Sequence, residues 1–204
     1  MDYVISQIHG EVDAYLARAV DPNHFDGKSV EQSLKQVLAH AHYYDNPPSA
    51  FVLNSAKGPS LIVVYALGKG TLMGQGGTSV TLRAYNAAQG RFKLADLTGD
   101  NLDGYGDVSV KKLHSPVPDE MWMLVWGHMT GANGPNIRMR VYAYGGKKFR
   151  TMWMPENSWG GFTVHVTDHS FTVDGGYYRE DGVRHDAYFL APDGLYRAVP
   201  DVLK

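Results

Sequence analysis

The sequence predicts a mainly β protein of antiparallel β-meander repeats with an N-terminal two-helix segment. The repeats are expected to form an incomplete propeller-like stack or a curved two-layer sheet. Helical periodicity is confined to the start of the chain, and short runs rich in Val, Tyr, Phe and Trp follow it. These runs also contain an internal repeat. Residues 1–46 are therefore predicted to form a helical segment, and residues 47–204 an antiparallel β domain.

Two amphipathic patterns define the helical segment. Within residues 2–19 the apolar positions recur at spacings of three, four and seven, which predicts the first helix. The second pattern begins at Ser29 and places Gln32 three residues later, which is the spacing of a capping box. Pro47 and Pro48 predict that this helix has ended before them, since proline cannot continue a helix.

The β region repeats with a constant offset of 57 residues. Segment 79–93 (SVTLRAYNAAQGRFK) aligns without a gap with segment 136–150 (NIRMRVYAYGGKKFR). Upstream, segment 60–70 aligns with segment 120–130 once three loop residues are omitted. Periods of this length occur in propeller blades and other stacked meanders. A closed propeller usually needs at least four blades, whereas this chain holds about two and a half units. An open arrangement is therefore predicted.

Composition excludes several classes of function. The chain has 204 residues, 44% of them hydrophobic, and a formal net charge of −2, so no basic face for nucleic acid is expected. The apolar runs are too short for membrane insertion. With no cysteine, disulfides, thiolate metal sites and a cysteine nucleophile are excluded. A periplasmic or secreted location is favoured if an export signal was removed, and a cytoplasmic one otherwise.

An acidic stretch at residues 95–110, ADLTGDNLDGYGDVSV, is the clearest candidate site. Its oxygen-bearing positions follow the register of a twelve-residue calcium loop. The predicted ligands are Asp96, Thr98, Asp100, the Leu102 carbonyl and Asp107. Three carboxylates with a hydroxyl, a carbonyl and water supply the six to eight oxygens that calcium prefers. The alternative is a long turn in which carboxylates cap backbone amides.

The same stretch resembles the FG-GAP or VCBS-type repeat, a propeller-blade motif whose acidic loop between strands binds calcium. Asp96, Thr98, Gly99, Asp100 and Asp107 occupy the motif positions. Thr98 replaces the usual Asn or Asp, and residues 101–103 lengthen the loop. The resemblance covers roughly 20 residues directly. It implies a blade-like fold and calcium as the bound ion.

Tryptophans supply the candidate partner contact. Trp122 and Trp126 share one face of a strand with Leu124, and the opposite face is apolar too, so this strand is expected to be buried on both sides. Trp159 lies in the loop-like sequence ENSWGG and is the predicted ligand-binding aromatic residue, because an exposed indole stacks well on a sugar or peptide.

Histidines support a second interpretation. His165 and His169 have helical zinc-motif spacing, but the surrounding alternation predicts a strand, so no tetrahedral zinc site is expected there. A further group, Asp168, His169, His185 and Asp186, has the residue types of acid–base chemistry.

Two functions follow from these patterns. The favoured prediction is a non-catalytic β-repeat module, calcium-stabilised, that binds a protein or glycan partner, with no catalytic residue assigned. The alternative is a hydrolase or lyase that uses the carboxylates and histidines on an extracellular polymer.

Overall fold

The computed structural model describes residues 2–39, 47–68, 78–98, 108–131, 134–154, 159–176, 183–191, 194 and 196–198. Within them, helices α1 (Asp2–Ala19) and α2 (Gly27–Leu38) precede the strands. The strands are β1 (Ser49–Ser55), β2 (Gly58–Gly68), β3 (Thr78–Ala88), β4 (Arg91–Leu97), β5 (Ser109–Leu113), β6 (Met121–Gly131), β7 (Gly134–Tyr144), β8 (Phe149–Trp153), β9 (Trp159–Val166), β10 (Ser170–Gly176), β11 (Val183–Leu190) and β12 (Tyr196–Ala198).

The strands form three antiparallel meanders of four strands each. Sheet 1 contains β1–β4, sheet 2 contains β5–β8, and sheet 3 contains β9–β12, each in sequential order. Sheets 2 and 3 are joined at their edges, where Asn136 and Ile137 of β7 pair with Gly160 and Trp159 of β9. The predicted fold class is confirmed: the chain is mainly β, with two N-terminal helices and antiparallel meanders in an open stack.

Three apolar clusters hold the layers together. The first lies between the helices and sheet 1, the second between sheets 1 and 2, and the third between sheets 2 and 3. Strand β6 shows how one strand serves two of them: Met123 packs toward sheet 1, while Trp122 and Leu124 pack toward sheet 3. The expectation that this strand is buried on both faces is confirmed.

The registers of two hairpins differ by the offset seen in the sequence. Ala84 pairs with Asp96 just before an irregularity in the β3–β4 ladder, and Val141 pairs with Trp153 just before an irregularity in the β7–β8 ladder. Each residue of the second pair lies 57 positions after its counterpart in the first. Equivalent bulges bend a strand in the same way, so the two hairpins share a shape as well as a pattern.

The upstream strands align differently from the sequence-based expectation. Tyr85 pairs with Leu61, and its repeat counterpart Tyr142 pairs with Met123. Met123 lies 62 positions after Leu61 rather than the 60 implied by omitting three loop residues. A two-residue shift leaves every side chain on the same face of its strand, so the hydrophobic pattern alone does not detect it.

Helix α2 begins two residues before the predicted cap. Asp26, not Ser29, is the N-cap: its Oδ1 accepts a hydrogen bond from the Ser29 backbone N–H at 2.9 Å, and its Oδ2 accepts from the Ser29 hydroxyl at 2.6 Å. The predicted capping box of Ser29 and Gln32 is therefore wrong. Aspartate competes well for the N-cap because its charge also complements the helix dipole.

Candidate functional site

The three sheets define two ends of the stack. At the lower end the strands are joined by the turns 56–57, 89–90, 145–148 and 167–169. Sheets 1 and 2 meet there through Asn86, which accepts a hydrogen bond from the Tyr144 hydroxyl at 3.0 Å and donates one to the Gly146 carbonyl at 2.7 Å. The strand ends that flank the connections 69–77, 98–108, 154–158 and 177–182 point the opposite way, toward the upper end.

Two of the predicted calcium ligands lie on the described part of sheet 1. The Asp96 Oδ2 accepts a hydrogen bond from the Phe149 backbone N–H at 2.7 Å and thereby links sheets 1 and 2. Thr98 is buried, and its Oγ1 accepts from the Leu82 backbone N–H at 3.1 Å. The other predicted ligands lie outside the described residues: Asp100, Leu102 and Asp107.

Two described residues connected with the acidic stretch contact one core. Val108, near the end of the stretch, and Phe149, whose backbone N–H donates to Asp96, both pack on the apolar cluster between sheets 1 and 2. Tyr142 belongs to that cluster and is 3% exposed, and its hydroxyl has no hydrogen-bond partner among the described residues. Burial raises the pKa of Tyr142. Buried hydroxyls in folded proteins almost always have a hydrogen-bond partner, so a further polar group is expected next to this one.

Trp159 does not lie in a loop. It is the first residue of β9, and its backbone pairs with Ile137 at the upper end of the stack. The sequence ENSWGG suggested a loop because Asn, Ser and Gly dominate it. The backbone of Trp159 nevertheless pairs with β7, whose edge at this point offers unpaired N–H and C=O groups. Its side chain lies outside the described part of the structure.

The histidines and aspartates of the alternative function are spread over sheet 3. His169 lies in the β9–β10 turn, whereas Asp186 pairs with Val173 in the middle of the β10–β11 ladder. At roughly 3.3 Å per residue, the four positions from His169 to Val173 place these groups about 13 Å apart along the strand. His165 lies near the Asp174 carboxylate, with 3.7 Å between its Nε2 and Oδ2.

A buried polar network that the sequence analysis did not identify connects α1 to sheet 1. The Arg83 guanidinium donates through Nη2 to both carboxylate oxygens of Asp13, at 2.8 and 2.6 Å, and the Tyr85 hydroxyl donates to Asp13 Oδ1 at 2.7 Å. Arg83 is 4% exposed. One turn earlier on the helix, the His9 ring Nδ1 lies 2.6 Å from the buried Tyr65 hydroxyl.

Burial and neighbouring charges shift the pKa values of three members of the network, Tyr65, Arg83 and Tyr85. Burial opposes the charge on Arg83, but the neighbouring Tyr65 and Tyr85 and the hydrogen bond to Asp13 outweigh this effect, so the pKa of Arg83 lies above its usual range. Burial likewise raises the pKa of Tyr65 and of Tyr85 well above the usual range for a phenol. The hydrogen bonds between Asp13, Arg83 and Tyr85 therefore anchor α1 to sheet 1.

Only part of this network left a signal in the sequence. His9 and Asp13 are four residues apart and lie beside the apolar stripe of α1, so both face the sheet. Arg83 is 4% exposed on a strand whose neighbouring positions are buried apolar residues. A charged residue in such a strand requires a partner of opposite charge, but the sequence does not show that Asp13 of α1 is that partner.

An open cleft of about 500 Å³ lies beside α1. It is lined by Gln7, Gly10, Glu11, Ala14, Tyr15 and Arg18 of α1 and by Val37 of α2. Four of these residues, Gln7, Gly10, Glu11 and Arg18, are exposed. No contact in the described structure indicates an occupant.

Comparisons with known proteins identify no relative. No family model matches the chain, and neither the curated proteins nor the solved structures give a match. Among the described residues, no group of three or more His, Asp or Glu side chains is arranged to hold a metal ion. None of the described helices combines the length and apolarity that a membrane span requires.

Proposed function

We propose that this protein is a non-catalytic β-sheet module that binds a protein or glycan partner at the upper end of its stack. The proposal is carried by one observation: the strand ends flanking the long connections 69–77 and 98–108 point to the same end as Trp159. Binding residues are commonly found on loops that a rigid scaffold positions. The connections at the lower end are shorter than these two, and the longest of them runs from residue 114 to residue 120.

The proposal includes calcium at the acidic stretch. Asp96 and Thr98 are already fixed by hydrogen bonds to Phe149 and Leu82, so two of the five proposed ligands have little freedom to lose on binding. Each of their oxygens retains acceptor capacity, since a carboxylate oxygen and a hydroxyl both have more than one lone pair. A divalent cation would remove the repulsion among Asp96, Asp100 and Asp107.

Tyr142 provides separate support. This buried residue belongs to the core that Val108 of the acidic stretch and Phe149, the partner of Asp96, both contact, and its hydroxyl has no partner among the described residues. An aspartate of this stretch, or a water bound to its calcium ion, would supply the acceptor that the hydroxyl needs. Filling the site would thus complete the junction between sheets 1 and 2 as well as order the ligands.

Isothermal titration of chelator-treated protein with calcium tests the ion. We expect one calcium per chain for the wild-type protein and a large loss of affinity for Asp100→Asn. Asp103→Asn is the matched control, because it makes the same change of charge in the same stretch at a position that is not a proposed ligand. Equal affinities for the two variants would exclude the proposed ligand set.

The partner is tested on panels of immobilised glycans and extracellular proteins, with calcium or chelator present. We expect a ligand whose binding is weakened by Trp159→Ala and by chelator. Val117→Ala is the control, since Val117 is 42% exposed in the lower-end connection between β5 and β6. Binding that depends on Val117 and not on Trp159 would place the surface at the wrong end. For the hydrolase or lyase alternative, no contact among the described residues provides support.

A further inference from the structure

Two exposed imidazoles meet at the lower end of the stack, away from the acidic stretch. His114 follows the last residue of β5 in sheet 2, and His169 lies in the β9–β10 turn of sheet 3. Their ring centroids are 4.4 Å apart, and the ring planes are inclined at 47°. The ring contact therefore joins sheets 2 and 3 through two residues that are 55 positions apart in the sequence.

Backbone hydrogen bonds fix the residues that carry both rings. The His114 N–H donates to the Asp168 carbonyl at 2.7 Å, which ties the two segments directly together. The His169 carbonyl accepts from the Leu190 N–H at 3.0 Å, so the turn is also attached to β11. Within the turn, the Thr167 N–H donates to the Ser170 carbonyl at 2.8 Å, and the Thr167 hydroxyl accepts from the Ser170 N–H at 3.0 Å. The rings thus project from a preformed frame.

The geometry points to a bis-imidazole site for a divalent transition-metal ion, and we propose that His114 and His169 bind Cu²⁺ or Zn²⁺ there. Imidazole nitrogen suits these borderline ions, and Cu²⁺ is the tightest binder of the divalent series. Neutral imidazoles offer a lone pair each, and because the two rings lie 4.4 Å apart across the junction, side-chain rotation alone would turn one nitrogen of each toward a shared ion. Water would fill the remaining coordination positions, since within the described ranges no group of three or more His, Asp or Glu side chains is arranged to hold a metal ion.

This site differs in chemistry from the proposed calcium site. Calcium is a hard cation that selects oxygen ligands, whereas the histidine pair offers nitrogen. An ion at the pair would join sheets 2 and 3 at the lower end, while an ion at the acidic stretch would act between sheets 1 and 2. Failure of one site therefore leaves the other untouched.

The test is a titration of untagged, chelator-treated protein with Cu²⁺, followed by electron paramagnetic resonance and by the unfolding midpoint. We expect one tight equivalent whose spectrum shows two coordinated nitrogens in the wild-type protein. His114→Gln and His169→Gln should each leave one nitrogen and weaken binding by tenfold or more. The unfolding midpoint should rise with the logarithm of the metal concentration in the wild-type protein and rise less in both variants.

His165→Gln is the matched control, since His165 lies on β9 of the same sheet beside a single carboxylate. It should retain the two-nitrogen spectrum and the wild-type affinity. Equal affinity for the wild-type protein and His169→Gln, or a two-nitrogen spectrum that survives in both pair variants, would overturn the assignment. Midpoints measured in chelator separate metal binding from any loss of ring packing, because the latter persists without metal.

Discussion

Removing the Asp13 carboxylate should destabilise the protein through Arg83. In Asp13→Ala the Arg83 guanidinium, 4% exposed, loses the two carboxylate oxygens that lie at 2.8 and 2.6 Å. Breaking a buried ion pair by removing one partner costs about 3–5 kcal/mol, because a charge remains buried without compensation. The Asp13 side chain is itself 33% exposed, so water reaches the site and the lower value, about 3 kcal/mol, applies.

Thermal and urea unfolding followed by circular dichroism measure this effect. For a chain of this size about 1 kcal/mol lowers the midpoint by about 2–4 °C, so Asp13→Ala should lower it by about 6–12 °C. Arg83→Met should cost less than Asp13→Ala, since it leaves no buried cation. The double variant should lose less unfolding free energy than the two single variants lose in sum, and the difference, the coupling energy, should be about 1–3 kcal/mol. Additive effects, or single effects below about 0.5 kcal/mol, would refute the role of the pair as an anchor for α1.

Three further predictions follow from the packing. Met123→Ala and Leu124→Ala should each cost about 2–5 kcal/mol in urea unfolding, because β6 is buried on both faces. A small effect for either would contradict the stacking of sheet 2 between sheets 1 and 3. Asp26→Ala should destabilise α2, whereas Asp26→Asn should have no such effect at acidic pH. Hydrogen bonds from Ser29 lower the pKa of Asp26, so the stabilisation from its charge is present above the unfolded-state pKa and is lost as the pH falls through the folded-state pKa. A pH series of unfolding measurements on both variants would show this loss. Gly27→Ala should destabilise the protein by about 1–3 kcal/mol, because the added Cβ would lie 2.6 Å from the Ala50 carbonyl oxygen. This clash should outweigh the higher helix propensity of alanine. A stabilised variant would mean that α2 can shift on β1.

Periodicity predicted the layered fold because the hydrophobic pattern of a single strand shows which of its faces are buried. The apolar residues on both faces of β6 could be read directly as burial between two layers, and the tyrosines at 85 and 142 marked equivalent positions. The register of β2 and β6 was missed by two residues, since such a shift changes neither face nor hydrophobicity. Caps were missed for a similar reason: Asp26 and Ser29 are both good N-cap residues, and only backbone geometry decides between them.

The polar contacts were less accessible to sequence reasoning. Arg83 and Asp13 are 70 residues apart, and their contact depends on how α1 lies across sheet 1, which no local pattern records. His114 and His169 meet for the same reason: neither has a neighbour in sequence that indicates the other. The calcium site at the acidic stretch stays a prediction, because it rests on local ligand spacing and Asp100, Leu102 and Asp107 lie outside the described residues.

The central claim, a calcium ion that stabilises the sheet 1–sheet 2 junction, is tested most directly by the unfolding midpoint of chelator-treated protein with and without millimolar calcium. A calcium concentration about a hundredfold above the dissociation constant stabilises the folded state by about 2.7 kcal/mol, or about 5–11 °C for a chain of this size. We predict this rise for the wild-type protein and for Asp103→Asn, and its loss in Asp100→Asn. A wild-type midpoint that calcium does not change would contradict the account and leave the acidic stretch as a turn.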